Sequence, residues 1–216
     1  MEFSDLAGVG GIGFVTLAIV VNVVYVRAGL PLPGSGGGLR EVTDDFAGIG
    51  DRLRLPSIVA PATWLLLTLF AAGLVAMLWR AGGPANGWAL AGLAGVLMQN
   101  VTFTVVEALR FGMATAAAHH RESMAGLWGF SNVLFGFNQG FLATALLGFS
   151  VAGTTVGVIA DWHLWLGIAS AALLFVSSSA SPYNARGNNR TSIIGLVGWL
   201  GWAAWIVSYG IVLLLS

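Results

Sequence analysis

Long apolar runs alternate with short polar ones along all 216 residues. A helix needs about 20 apolar residues to cross the hydrocarbon core of a bilayer. Six stretches qualify, at about 8–27, 57–79, 87–109, 126–148, 157–178 and 192–215. The third runs on as helix toward residue 118, because Phe111–Ala118 is alanine-rich and holds no breaker. Only Gly148–Gly157 separates the fourth from the fifth, so the fifth begins near 151 or near 157; Thr154, Thr155 and Gly157 favour the later start. One sizeable polar segment remains, from 28 to 56. Its Leu30–Gly38 part is rich in Pro, Gly and Ser and reads as irregular. Val42, Phe46, Ile49 and Leu53 then recur at i, i+4, i+7 and i+11, opposite Asp44, Asp45, Asp51, Arg52 and Arg54. That spacing is one helical face and predicts an amphipathic helix over Glu41–Arg54 at the cytoplasmic interface, either a lid or a connector. The expected fold is an all-α integral membrane protein. It is a single domain over 1–216, a bundle of about six transmembrane helices with this short amphipathic helix between the first and second spans.

Composition sharpens the picture. The chain is 57% hydrophobic and 8% charged, with mean hydropathy +0.85, whereas a soluble domain is roughly 25% charged; a soluble globular fold is excluded. Nine acids balance nine basic residues, all arginine. Zero net charge excludes the basic face a nucleic-acid partner requires. Arginine without lysine, in an Ala/Gly/Val/Leu-rich chain, points to a high-GC bacterial genome and so to a bacterial cytoplasmic membrane. With no cysteine, disulfides, thiolate metal sites and cysteine nucleophiles are excluded. Three histidines are too few for a His-rich iron site.

Charge also gives orientation. The loops after spans one, three and five hold Arg27, Arg40, Arg52, Arg54, Arg110, Arg121, Arg186 and Arg190; the opposite side holds only Arg80. The positive-inside rule makes those three loops cytoplasmic and both termini external. Glu2 and Asp5 precede the first span and Arg27 follows it, the reverse of a signal peptide, so that span reads as a retained anchor. Trp79, Trp88, Trp162 and Trp165 fit an outer aromatic belt and Trp128 an inner one.

Polar groups within the spans are the candidate chemistry. Asn22, Gln99, Asn100, Asn138 and Gln139 all fall near the midplane at about 1.5 Å per residue. They read either as interhelical hydrogen bonds or as the lining of a cavity for a neutral ligand. Asn100, Thr104 and Glu107 share one face of the third span, and Asn132 and Gln139 one face of the fourth. If those faces meet, Glu107 ends a polar seam that reaches the midplane. An intramembrane carboxylate marks a functional site by default, but Arg110 at i+3 offers a plain ion pair. Asp161 matters only if the fifth span begins early. Its neighbour His163 points about 200° away on a helix, so the two make no dyad. His119, His120 and Glu122 read as a solvated helix end rather than a metal site. Gly136 and Gly140, and the stripe Gly195, Gly198 and Gly201, serve helix packing or a dimer face. Asp44-Asp45 opens like a prenyl-diphosphate acidic box, but Gly48 stands where its third aspartate belongs.

These residues lead first to a membrane-embedded enzyme acting on a lipophilic, isoprenoid- or lipid-like substrate, such as a cyclase or isomerase. Glu107 and Asp161 are the candidate catalytic carboxylates. Asn22, Gln99, Asn100, Thr104, Asn132, Asn138, Gln139 and Trp202 are the candidate substrate-binding residues. Trp199, Trp202, Trp205, Phe103, Phe130, Phe135 and Phe137 are available as lining. The alternatives are a transporter or channel for a small neutral solute using the midplane amides, and an accessory subunit of a membrane complex. No metal or cofactor is expected; the expected partners are membrane lipids, a lipophilic small molecule, and a second copy or a larger membrane complex. In this cysteine-free chain a Ser35→Cys variant is expected to react with an impermeant maleimide only after the inner membrane is permeabilised. Labelling of intact cells would reverse the orientation.

Overall fold

A computed structural model describes residues 2–31, 38–185 and 191–215. The described chain is helical, with α1 Phe3–Ala28, α2 Leu39–Ile49, α3 Arg54–Trp79, α4 Ala85–His119, α5 Met124–Thr155, α6 Asp161–Ser179 and α7 Thr191–Leu215. Short 3₁₀ turns join several of them. Among the described residues, six helices are long and apolar enough to cross a membrane.

Local sequence explains most of the boundaries. The Glu2 amide donates to Asp5 at 2.9 Å to open α1, and Gly29 ends it at φ +88°, a conformation glycine adopts freely. α4 continues to His119 through the alanine-rich stretch. α5 runs on to Thr155, and Gly157, at φ +71°, turns the chain before α6 starts at Asp161. The fifth span therefore begins later than either expected start. The amphipathic segment is split: α2 stops at Ile49, and a 3₁₀ turn over Gly50–Leu53 leads straight into α3. Its stripe is still buried as one unit, with Val42, Phe46, Ile49 and Leu53 each at most 2% exposed. Those four pack on Tyr25, Leu30, Met113, Met124 and Trp128. Trp128 is thus not an inner-belt residue: it is buried, with its ring 6.2 Å from that of Phe46. Trp79, Trp88, Trp162 and Trp165, at the other end, are exposed.

Each long helix packs on its neighbours in the chain, and α7 returns to α1, which closes a ring α1–α3–α4–α5–α6–α7. Glycines set the closest crossings. A Cβ on Gly148 would lie 2.4 Å from the Gly92 amide nitrogen and 2.6 Å from the Trp88 oxygen, so the α4 and α5 backbones touch there. Gly136 and Gly140 abut Ser181 and Ser178, while Gly195, Gly198 and Gly201 abut Gln139, Leu174 and Ser170. Both small-residue stripes are used inside the chain rather than on a dimer face.

The apolar core has two parts. One, built around Phe70, Leu74, Phe149, Trp205 and Tyr209, fills the half of the ring away from the arginines; the other lies under α2. Along α4, Val96 belongs to the first and Met113 to the second, with Gln99 and Glu107 between them.

Gly148→Ala is expected to destabilise the protein by about 1–3 kcal/mol through overpacking. Gly126→Ala, on the same helix with nothing within 4 Å of the added carbon, is expected to leave stability unchanged or raise it. Thermal unfolding in detergent compares the two.

Candidate functional site

Three helices deliver one polar cluster into the layer between the two cores. Tyr25 comes from the last turns of α1, Ser57 from the first turn of α3, and Glu107 and Arg110 from α4. α1 and α3 lie at the two ends of the 28–56 connection, which brings Tyr25 and Ser57 to the same level. α4 runs antiparallel to α3. The Asn100 amide donates to the Trp64 carbonyl at 3.2 Å and to Thr68 Oγ1 at 2.9 Å. Seven residues further along α4, and seven back along α3, Glu107 meets Ser57.

Glu107 is 8% exposed, and both its oxygens are occupied. Oε1 accepts hydrogen bonds from the Tyr25 hydroxyl and from Ser57 Oγ; the two hydroxyl oxygens are themselves 2.8 Å apart. Oε2 pairs with Arg110 Nη1 at 2.6 Å, and both side chains are nearly buried. The guanidinium carbon sits 4.3 Å from the centroid of the Tyr25 ring. One carboxylate thus organises two hydroxyls and a cation that also rests on an aromatic face. Charge-assisted hydrogen bonds of this kind are among the stronger ones, and each of these groups would be costly to bury alone.

Two cavities adjoin this cluster. The larger, about 70 Å³, is lined by Asn22, Gln99, Glu107, Trp202 and other aromatic side chains. It has room for several water molecules but falls short of the several hundred Å³ typical of drug-sized ligands. The smaller, about 50 Å³, lies under α2 between Phe46, Met113, Trp128 and Ser131. Asn22, Tyr25 and Arg110 line both.

Of the residues singled out in the sequence, Asn22, Gln99, Glu107 and Trp202 therefore line one cavity, together with Phe103 and Trp199. Asn22 is exposed, and its amide donates back to the Ala18 carbonyl at 2.8 Å. Trp202 is buried edge-on to Phe14, with ring centroids 5.3 Å apart. The others lie elsewhere. Asn100 ties α4 to α3, and Thr104 is exposed and bonds within its own helix. Asn132 donates weakly to the Ala185 carbonyl at 3.4 Å, and Gln139 packs against Gly195 of α7. Asn138 is buried with no partner for Oδ1 among the described residues. The polar faces of α4 and α5 do not meet. Glycines occupy the line where those backbones touch; Asn100 turns to α3, Gln139 to α7, and Asn132 to the Ala185 carbonyl. Trp205 belongs to the far core, and Phe130 and Phe137 are exposed.

Asp161 is not brought to Glu107. It is exposed in the first turn of α6, at the opposite end of the ring. His163 is buried instead; its Nε2 lies 3.0 Å from the Trp205 carbonyl, and its ring packs between Trp162, Trp205 and Tyr209. His120 Nδ1 is 3.7 Å from Glu122 Oε1 with both side chains exposed. Among the described residues no three metal-ligating side chains are grouped to hold an ion.

Sequence reasoning missed Tyr25 and Ser57. Neither residue belongs to a motif or to the polar faces within the spans. Only the crossing of α1, α3 and α4 aims them at one carboxylate.

Glu107→Gln leaves the Arg110 charge buried without its counter-ion, and is expected to destabilise the fold by about 3 kcal/mol. Adding Arg110→Gln is expected to return part of that loss. Thermal melts of the two single variants and the double variant measure the coupling; effects that add to within about 0.5 kcal/mol would mean that the pair is not formed. No protein-family model, curated protein or solved structure matches this chain.

Proposed function

We propose that this chain is a multi-pass protein of a bacterial inner membrane, with both termini outside, that carries a small polar solute past the Tyr25–Glu107–Arg110 cluster. The observation that supports a carrier is the pair of cavities meeting at that cluster. Asn22, Tyr25 and Arg110 line both spaces, so the two spaces share these side chains as a common boundary. In the half of the ring away from the arginines, the apolar core is closely packed, which gives the path one closed side. Amides and a carboxylate at the larger cavity suit a solute that makes hydrogen bonds. Arg27, Arg40, Arg52, Arg54, Arg110 and Arg121 belong to one end and Arg80 to the other, as the positive-inside rule requires for the proposed orientation.

A second role, as an enzyme on a lipophilic substrate, is favoured by one observation. The Ser57 and Tyr25 hydroxyls form a short relay to Glu107, the arrangement of an acid–base group. Against it stand the small cavity and the distance of Asp161, which leaves Glu107 without a second carboxylate.

Light-scattering shrinkage assays on proteoliposomes separate the two. Urea, formamide or glycerol is expected to enter several-fold faster than in protein-free vesicles. Arg110→Gln is expected to change that rate by at least about threefold. Rates equal to those of empty vesicles, together with a lipophile retained at one per chain in native mass spectrometry, would overturn the carrier and favour the enzyme.

A further inference from the structure

The walls of the larger cavity have a more specific chemistry than a polar solute requires. Phe14, Tyr25, Trp64, Phe103, Trp199 and Trp202 line it, and the polar groups among them are the Glu107 carboxylate, the Arg110 guanidinium, the Thr63 hydroxyl and the amides of Asn22 and Gln99. Aromatic faces carry negative potential. Together with a carboxylate they attract a positive charge, above all one that is weakly hydrated. An anion would be repelled by the carboxylate and the aromatic faces, and the one positive group on the wall, Arg110, is already paired with Glu107. An alkyl tail would gain nothing from the carboxylate and would desolvate it.

The chain already uses this chemistry on one of its own cations. The Arg110 guanidinium lies 4.3 Å from the Tyr25 ring centroid and pairs with Glu107 at 2.6 Å. Carboxylate and aromatic face thus hold a positive charge together. Arg110 also lines the smaller cavity, so it has a place to turn if another cation takes Glu107. We infer that the larger cavity is a binding site for a small organic cation of the alkylammonium class, which competes with Arg110 for Glu107. The volume, about 70 Å³, suits a cation of about two to five heavy atoms. Proposed in this way, the cation deepens the carrier role by naming its solute class.

The test is isothermal titration of the full-length protein in detergent, at constant ionic strength. The probes are methylammonium chloride, tetramethylammonium chloride and, as an uncharged control of similar shape, tert-butanol. Saturable binding of at least one ammonium ion is expected, with tert-butanol weaker by about tenfold or more. Trp202→Ala is expected to weaken the ammonium affinity about 5- to 30-fold, the worth of a desolvated cation–π contact. Arg110→Gln removes the competitor and is expected to tighten it. If Arg110→Gln does not yield a monodisperse protein, Trp199→Leu, a partly buried position on the cavity wall, is expected to weaken binding while the protein still melts cooperatively. Equal affinity for tert-butanol would overturn the proposal, as would ammonium binding unmoved by the tryptophan variants or no saturable ammonium binding at all. Its failure is distinct from failure of the carrier. Ammonium binding by a protein that passes no solute overturns the carrier alone, and passage of neutral solutes by a protein that binds no ammonium overturns the cation site alone.

Discussion

A carboxylate almost out of reach of water, inside a ring of apolar helices, must be given partners by its neighbours. Glu107 takes them from two other helices and from its own. Around that requirement the arginine-rich half of the molecule is arranged. α1 must end with Tyr25 facing inward, α3 must begin with Ser57 beside it, and α4 must place Arg110 one turn beyond the acid. Tyr25 and Arg110 of that cluster also line both cavities, together with Asn22.

Packing in the rest of the ring follows a different constraint. Between helices that are apolar on most sides, burying apolar surface gives little preference for one pairing over another, and close backbone approach takes over. Gly92, Gly95 and Gly148 let α4 and α5 touch, and that contact fixes which face of each helix is left for amides. Because the touching line is glycine, Asn100 and Glu107 look toward α3 while Gln139 looks toward α7. The polar residues are therefore not pooled at one level. They are shared among a cluster at Glu107, a tie between α3 and α4, and the α5–α6–α7 side.

The arginine-rich end is sealed by α2, whose apolar stripe lies against Tyr25, Met113 and Trp128. Arg121, in the turn between α4 and α5, pairs with Asp44 of α2 and ties the seal to the ring. This supports a connector packed under the helices more than a free lid. It also explains why Trp128 is buried where a belt residue would be exposed: Phe46 and the rest of the α2 stripe pack against it.

Much of this was written in the order of residues. Six apolar runs and the stripe Val42–Phe46–Ile49–Leu53 follow from hydropathy and period, because each depends on the residues of a single segment; the boundary between the fourth and fifth spans does not. The Glu107–Arg110 pair was legible for the same reason: i and i+3 are neighbours on any helix. Tyr25 and Ser57 as its other partners were not legible, nor was the separation of the α4 and α5 amides. Each of these depends on which helix lies next to which, and at what register. An apolar helix looks much the same to its neighbours from every side, so composition does not choose its partners. That choice belongs to the glycine contacts and the buried Glu107–Arg110 pair, and only the tertiary structure brings those together.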